Sequence, residues 1–267
     1  MTIKRPLLSG AFAVTCFALV SCGSGAQPAG SASRQPPAAG AGSSSPVGAT
    51  QPTVSRPSAP AASAASASAG VAASTPAVAS AGGALAWNFD RDAVGGLPKG
   101  AEMFSGSWAI RAEADTPSPP NALCQTGNAQ YPAMTLGDAT YANLSMSTRF
   151  KPLSGKEDQA AGLIFRVQDK ANYYIVRANA LENNVMIFKY QGGRRSTLKS
   201  GSAKVATGKW QELRADVNGD RIRGFVNGRQ IVEANDGTFK SAGRAGLWAK
   251  SDSVTCFDDV SVTPAGT

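Results

Sequence analysis

The chain has 267 residues, of which 42% are hydrophobic and 16% charged, and its 26 lysines and arginines exceed its 18 aspartates and glutamates to give a formal charge of +8. It contains no histidine. Without imidazole there is no Ser-His-Asp or Cys-His relay, no histidine-ligated zinc and no histidine general base, which excludes the commonest hydrolase and metalloenzyme mechanisms.

The first 21 residues have the layout of a secretory signal peptide. Lys4 and Arg5 precede an apolar stretch that runs to Val20, and this stretch is shorter than the roughly 20 apolar residues of a membrane-spanning helix. The segment Leu19 to Cys22 resembles the lipobox of bacterial lipoproteins, which implies cleavage before Cys22 and a diacylated (palmitate-type) Cys22 as membrane anchor. Two or more acyl chains anchor a protein stably, at ~0.8 kcal/mol per buried methylene. The alternative is an ordinary signal peptide cleaved nearby.

Residues 22–84 form a segment of low complexity. Of the 62 residues from Gly23 to Ala84, all but nine are Ala, Gly, Ser, Pro or Thr, and none is aromatic or acidic. Such a segment cannot bury enough apolar surface to offset its chain entropy, so we expect a disordered tether with an r.m.s. span of roughly 40 to 47 Å. A helix over residues 61–73 is the alternative on alanine content, although it has no amphipathic face and lies between prolines.

The residue after Cys22 and the charge balance bear on location and partners. Gly23 stands where the lipobox resemblance would put Asp for inner-membrane retention, so we expect the outer membrane of a bacterial cell envelope. Residues 85–267 carry a net charge of only +4, with the acids interspersed. A net charge this small gives weak support for nucleic-acid binding, and we predict no nucleic-acid partner. An anionic glycan or a lipid surface would fit the same charge. The simplest interpretation is that the charge keeps the protein soluble.

Residues 85–267 are predicted to form one all-β domain, an antiparallel sandwich or barrel. Short β-branched and aromatic runs recur about every 8 to 12 residues with turn residues between them. Asn-Gly pairs at 218–219 and 227–228 favour type I′ turns and predict a three-stranded meander over residues 210–233, and Gly192 with Gly193 is a weaker hairpin signal. The predicted strands are Trp108–Arg111, Ala122–Gln125, Leu144–Lys151, Gly162–Val167, Tyr173–Ala178, Val185–Tyr190, Gln211–Val217, Arg221–Val226, Gln230–Glu233, Ala245–Ala249 and Val254–Val262.

Several motifs in this domain resemble a known family. They are Trp87–Asp90 with Gly106–Trp108, Ala160–Arg166, Asn172–Asn179, Gly208–Trp210, Val226–Gly228, Gly246–Trp248 and Val254–Val260. The domain resembles the concanavalin A-like, laminin-G-like jelly roll of bacterial family 16 glycoside-hydrolase-like and 3-keto-disaccharide-hydrolase-like proteins. The resemblance implies a jelly-roll β-sandwich and leaves activity open, because this fold carries lectins, enzymes and structural modules.

The carboxylates give no recognisable glycosidase pair. Such an enzyme needs two carboxylates about 5 to 9.5 Å apart, and the alternating Glu-Asp-Glu strand pattern of laminarinase-type relatives is missing here. Glu212 and Asp216 would lie roughly 13 Å apart on one strand, and Glu157 and Asp158 would point to opposite sides, so we expect solvated charges at both pairs. We predict no catalytic residue; a hydrolase of glucans or 3-keto-disaccharides and a structural interaction module are the alternatives.

Alternation along two strands places polar and aromatic side chains on one face. Tyr173, Ile175, Arg177 and Asn179 would lie opposite to Tyr174 and its neighbours. The predicted sugar-binding groove consists of Arg166, Tyr173, Arg177, Asn179, Trp248, Lys250 and Asp252, with aromatic plates for sugar rings and polar groups for hydroxyls. The alternative is that Tyr173 and Trp248 belong to the core. We therefore expect a monomeric, non-catalytic lipoprotein that binds a glycan or polysaccharide.

Two further sites are expected from cysteines and carboxylates. Cys124 and Cys256 lie in an exported domain and predict a disulfide that contributes roughly 4 to 5 kcal/mol, with two separate buried thiols as the alternative. Asp90, Asp258 and Asp259 lie near the two ends of the domain, and the resemblance to jelly rolls implies that they hold a structural calcium ion where the first and last strands meet; hydrogen bonds or salt bridges at a strand end are the alternative. No other cofactor is expected.

Overall fold

The computed structural model describes residues 82–266, so the predicted signal peptide, Cys22 and nearly all of the predicted tether lie outside the described residues. This part of the chain contains fifteen β-strands and no helix, and so nothing helical in it could span a membrane. The strands are β1 (Leu85–Trp87), β2 (Glu102–Ser105), β3 (Trp108–Ala112), β4 (Asn121–Gln125), β5 (Ala133–Thr135), β6 (Leu144–Ser154), β7 (Ala160–Asp169), β8 (Asn172–Asn179), β9 (Asn184–Gln191), β10 (Arg194–Ser202), β11 (Gln211–Asn218), β12 (Arg221–Val226), β13 (Arg229–Asn235), β14 (Arg244–Trp248) and β15 (Val254–Pro264).

The strands form two stacked antiparallel sheets. One sheet has the order β13-β12-β11-β6-β15-β4-β3, with β1 paired to β15, and the other has the order β10-β9-β8-β7-β14-β5-β2. Strands far apart in sequence are therefore neighbours, as β6 and β15 are. The predicted all-β antiparallel sandwich is confirmed.

Alternating side chains build the core between the sheets. On β8, Tyr174, Val176 and Ala178 point into the space between the two layers, where they meet side chains such as Leu213 and Phe257 of the facing sheet. Each such large apolar residue contributes roughly 1.5 to 3 kcal/mol by leaving water. The opposite residues of β8 face outward, so the predicted division of this strand into two faces is correct.

All eleven predicted strands are present, and four others were missed. Three of these, β1, β2 and β5, have only three or four residues, too few to show a period. The fourth, β10, is polar along most of its length and forms because Gly192 and Gly193, both with positive φ, turn the chain back along β9. This is the weaker hairpin signal of the sequence, and it is confirmed.

The three-stranded meander is also confirmed, with a difference in its first turn. Asn227 and Gly228 both have positive φ and occupy the two central turn positions between β12 and β13, as a type I′ turn requires. In the preceding turn Asn218 pairs with Arg221, so Gly219, with φ 56°, takes the first central position. Only that residue needs the left-handed conformation, which is the pattern of a type II′ turn.

A disulfide joins neighbouring strands on the outer side of the eight-stranded sheet. Cys124 of β4 lies directly across from Cys256 of β15, and their sulfur atoms are bonded. Both residues are fully buried, under Leu153 and Trp210. The bridge thus pins the C-terminal strand to a strand 132 residues earlier in the chain.

Candidate functional site

The outer face of the seven-stranded sheet carries a second apolar cluster that is separate from the main core. It comprises Ala133, Ala160, Ile164, Val167, Tyr173, Ile175, Phe188 and Trp248, with Phe104, Tyr131, Met186 and Tyr190 packed against it. A sheet face that looks away from its partner sheet is usually polar, so this apolar layer marks the face as unusual. We refer to it as the outer face.

Gly162 makes room for the largest side chain of this face. It lies opposite Trp248 in the pairing of β7 with β14, and a Cβ atom at Gly162 would lie 3.0 Å from Cε3 of the indole and 3.4 Å from a methyl of Ile175. The indole of Trp248 therefore occupies space that a side chain at position 162 would fill. It is fully buried there.

Tyr131 and Arg195 cover the aromatic layer. The ring of Tyr131, from the loop before β5, stacks on Trp248 with a centroid distance of 5.8 Å. The guanidinium of Arg195 lies 4.4 Å from the ring centroid of Phe188 and 5.0 Å from that of Tyr131. Tyr173 and Trp248, the predicted aromatic plates of the groove, are 2% and 0% exposed and belong to the apolar cluster of this face, as the alternative interpretation has it. Tyr131 and Arg195 lie over them and are partly exposed.

A small cavity opens beside this cover. It has a volume of about 190 Å³ and is lined by Phe104, Tyr131, Lys170, Tyr173 and Tyr190 among others. Burial raises the pKa values of both Tyr173 and Tyr190 above the ordinary value, so both phenols stay neutral and serve as hydrogen-bonding groups. The cavity is smaller than the usual ligand pocket of 300 Å³ or more.

Next to the aromatic layer, the outer face carries a cluster of opposite charges, which we call the charged cluster: Asp158, Arg177, Glu182 and Lys250. Both terminal nitrogens of Arg177 donate to Oε2 of Glu182, at 2.9 and 3.0 Å, and Asn184 Nδ2 donates to the same oxygen at 2.9 Å. Burial alone would raise the pKa of Glu182, but the bond from Asn184 and the charge of Arg177 outweigh it and hold the pKa below its ordinary value. Glu182 is therefore an anion at neutral pH.

The second acid of the cluster lies deeper. Asp158 is 1% exposed, accepts a bond from Asn179 Nδ2 at 2.7 Å, and is paired with Lys250. It was expected to be a solvated charge, and that expectation was wrong, because its loop is folded inward by Asp252. The carboxylate of Asp252 accepts backbone N–H bonds from Lys156, Glu157 and Asp158.

Some polar atoms of the outer face have no partner. Among the buried side-chain nitrogen and oxygen atoms of residues 82–266 that lack a hydrogen bond are Arg177 Nε, Asn184 Oδ1 and Arg195 Nη1, all three on this face. Burying a polar atom without a partner costs about 1 to 3 kcal/mol.

The structure separates two predicted groove residues from the others. Arg166 lies at a bulge of β7, where the register shifts between Phe165 and Asp169, and its own φ is +48°. Its guanidinium is buried and donates to the carbonyls of Ala142, Phe239 and Gly219, so it braces loops and does not face a ligand, contrary to prediction. Asp252 acts through the backbone of the 156–158 loop, as described above. Arg177, Asn179, Trp248 and Lys250 do lie together on the outer face.

The predicted calcium ligands are not brought together. Among the described residues, one group of three potential metal ligands lies within 4.8 Å of one another: Glu113, Cys124 and Cys256. The two cysteine sulfurs of this group are bonded to each other in the disulfide. Asp258 is buried and accepts bonds from the backbone N–H and hydroxyl of Ser118, while Asp90 accepts from Asn88. These contacts are the hydrogen bonds expected in the alternative interpretation.

Sequence reasoning missed Tyr131, Glu182 and Arg195 as members of the face. Tyr131 comes from an irregular loop, and Arg195 from a strand without a clear period. Glu182 lies in the turn between β8 and β9, outside any strand period. A signal did exist for Arg195. In the three adjacent strands Arg195 is paired with Tyr190, and Tyr190 is paired with Tyr173, so the three side chains share a face.

Comparisons with known proteins find similarities to carbohydrate-related proteins of Bacillus. A levanase of Bacillus subtilis (strain 168) is 24% identical over 149 residues, and the aligned region spans 55% of this chain and only 20% of that protein. The carbohydrate-binding module CBM66 from Bacillus subtilis superposes with a TM-score of 0.53 and 22% identity, over 61% of this chain and 95% of the module, which shows a shared fold. A β-glucanase of Bacillus licheniformis covers 69% of this chain and 100% of its own at a TM-score of 0.45 and 11% identity.

The family assignment comes from a match that covers more than half of the chain. A model of the 3-keto-alpha-glucoside-1,2-lyase-like domain matches residues 103–263. These bounds take in strands of both sheets, the charged cluster, Tyr131 and Arg195. The chain belongs to the family of 3-keto-alpha-glucoside-1,2-lyase-like domains.

Proposed function

We propose that the outer face of the seven-stranded sheet binds carbohydrate at the charged cluster and the adjoining surface of Tyr131 and Arg195, without catalysis and without a cofactor. The observation that carries this proposal is that the half-exposed carboxylate of Glu182 is held in place by the buried guanidinium of Arg177. Glu182 is 45% exposed, yet Arg177, which is 2% exposed, holds it from below by two bonds. Its carboxylate is thus directed outward by a partner that solvent does not reach.

The chemistry of this arrangement suits a sugar. An ionised carboxylate accepts bonds from hydroxyl groups, and charge-assisted bonds are stronger than neutral ones. Asn184 and Lys250 add donors at the same end of the face. Tyr131, half-buried beside Arg195, offers part of a ring on which the apolar side of a pyranose or furanose stacks.

The similar proteins suggest which sugars to test first. One is named a levanase and another a carbohydrate-binding module, so a fructan is the leading candidate and a glucan the second. Titration calorimetry of the full chain in detergent against levan and against a β-glucan tests the proposal. We expect Glu182→Gln to weaken binding at least tenfold, because a neutral amide loses charge-assisted bonds of about 1.5 to 3 kcal/mol.

Glu157→Gln is the matched control, since Glu157 is exposed and lies outside the cluster. It removes the same charge from the same side of the domain and should leave the affinity unchanged. Equal losses in both variants, or no binding of either glycan by the parent chain, would count against a sugar site on this face.

Elimination of a 3-keto-α-glucoside is the second candidate, favoured by the family to which the chain belongs. This reaction removes the proton at C2, next to the ketone, and breaks the C1–O bond of the leaving sugar. It needs one base and one acid, and Glu182 and Lys250 are an anion and a cation on one face. Release of free sugar from a 3-keto-disaccharide, abolished by Glu182→Gln, would replace the binding proposal by this activity.

We further propose that the domain is a monomer on the bacterial cell envelope. Lipid on Cys22 would anchor it, residues 22–84 would serve as the tether, and the outer membrane would be its destination. The sequence from Leu19 to Cys22 supports this proposal. Labelled palmitate should enter the wild-type precursor and should fail to enter Cys22→Ser. Incorporation in both proteins, or in neither, would contradict lipid anchoring at this cysteine.

A further inference from the structure

One side of the sandwich collects positive charge, most of it on side chains that form no ion pair within residues 82–266. The run from residue 183 to residue 211 contains six lysines and arginines and no aspartate or glutamate. Two of the six are engaged elsewhere, since Lys189 pairs with Asp236 and Arg195 lies on the aromatic layer. The other four, Arg194, Lys199, Lys204 and Lys209, are exposed.

Strand order brings another cation to the same side. β10 is the edge strand of the seven-stranded sheet and β13 is the edge strand of the eight-stranded sheet, and the two edges touch, because a Cβ atom at Gly201 would lie 2.7 Å from the carbonyl oxygen of Ile231. Arg229 begins β13 and is exposed. We call the surface of Arg194, Lys199, Lys204 and Arg229 the basic edge; none of these four forms an ion pair within residues 82–266. Lys209 does not belong to it, because the neighbouring Gly208 donates to the carbonyl of Pro152 in β6.

A cleft in this surface has the composition of an anion site. It has a volume of about 490 Å³ and is lined by Asn183, Ser202, Ala203, Lys204 and Arg229, that is, by two cations, an amide and a hydroxyl without any carboxylate. The size is within the usual range of ligand clefts. Lys204 and Arg229 lie on different sheets yet border the same space.

We propose that the basic edge binds an anionic polysaccharide, with a carboxylate or sulfate on the sugar located between Lys204 and Arg229. The choice of a glycan rests on the proposed function and on continuity with the charged cluster. Asn183 lines the cleft, and the next residue, Asn184, donates to Glu182 of the charged cluster. A polysaccharide bound at Glu182 could therefore extend along the surface to the cleft. The cleft lining offers no aromatic side chain on which nucleic-acid bases would stack.

The test uses the full chain in detergent and four probes: polygalacturonate for carboxylate, dextran sulfate for sulfate, neutral dextran, and duplex DNA. We expect one or both anionic polysaccharides to bind, with an affinity that falls as salt rises, and neutral dextran to bind at least tenfold more weakly. The double variant Lys204→Glu/Arg229→Glu should weaken anionic binding tenfold or more, because it removes both cations that border the cleft and puts carboxylates that repel the ligand in their place.

A matched variant controls for net charge. Arg91→Glu/Lys99→Glu changes the charge by the same amount at exposed positions outside the basic edge and should retain at least half of the wild-type affinity. An equal loss in both double variants would overturn the proposal, as would a parent chain that binds neither anionic polysaccharide. Equal binding of duplex DNA with the same sensitivity to Lys204→Glu/Arg229→Glu would also overturn it. Levan binding and its loss in Glu182→Gln report on the proposed sugar site separately.

Discussion

Removing the bridge between Cys124 and Cys256 should be the most destabilising single covalent change in the described domain. The bridge closes a loop of 132 residues, and in the chain-entropy model a loop of this length contributes about 5 kcal/mol by restricting the unfolded chain. The double variant Cys124→Ala/Cys256→Ala should therefore lose about 5 kcal/mol in the free energy of unfolding. For a domain of this size that loss lowers the melting temperature by about 10 to 20 °C.

Urea unfolding of the parent and of the double variant, each with and without reductant, provides the measurement. Reduction should bring the parent close to the variant and should leave the variant unchanged. The two cysteines pack only against a small satellite cluster under Leu153 and Trp210, so lost contacts add little. A loss below about 1 kcal/mol would refute the entropic reasoning, because the unfolded chain would then not be restricted by the bridge.

Three other substitutions test specific contacts. Burial raises the pKa of Asp258 to about 6 from an ordinary 3.8, so this group's contribution to stability is complete only below the ordinary pKa and is lost as the pH rises through 6. Relative to Asp258→Asn, the parent should lose about 2 kcal/mol between pH 4 and pH 7 in urea unfolding, and a constant difference would contradict this. Gly162→Ala places a methyl 3.0 Å from the indole of Trp248 and should cost about 1 to 3 kcal/mol in thermal unfolding, whereas an unchanged melting temperature would show that the indole moves freely. Arg166→Leu leaves three carbonyl oxygens without their donor and should cost about 3 kcal/mol or more, which Arg166→Lys should not restore; full rescue by lysine would show that charge alone is needed.

The fold could be predicted where local patterns and strand pairing agree. β8 alternates strictly, and its two faces are buried against different clusters, so the period alone separates core from outer face. The Asn-Gly pair before β13 has the positive φ values that its chemistry favours. The Gly219 turn differs by one residue, because the pairing of Asn218 with Arg221 is decided by the strands and not by the turn.

The site could be predicted only in part, because long-range contacts decide what is accessible. The bulge in β7 turns Arg166 toward three loops, and alternation assumes a regular strand. Trp248 faces outward as predicted, but Tyr131, from a loop more than a hundred residues earlier, covers it. The burial of Asp158 likewise depends on a distant partner, Lys250. Such covering contacts have no signature in the spacing of the residues they cover.

The pairing of β1 with β15 has a consequence for how the domain is carried. Leu85 lies opposite Val262, so the polypeptide enters and leaves the sandwich at the same corner. A load applied through the proposed tether would act first on these three residue pairs. A reporter fused after β15 would therefore emerge beside the first residue of β1.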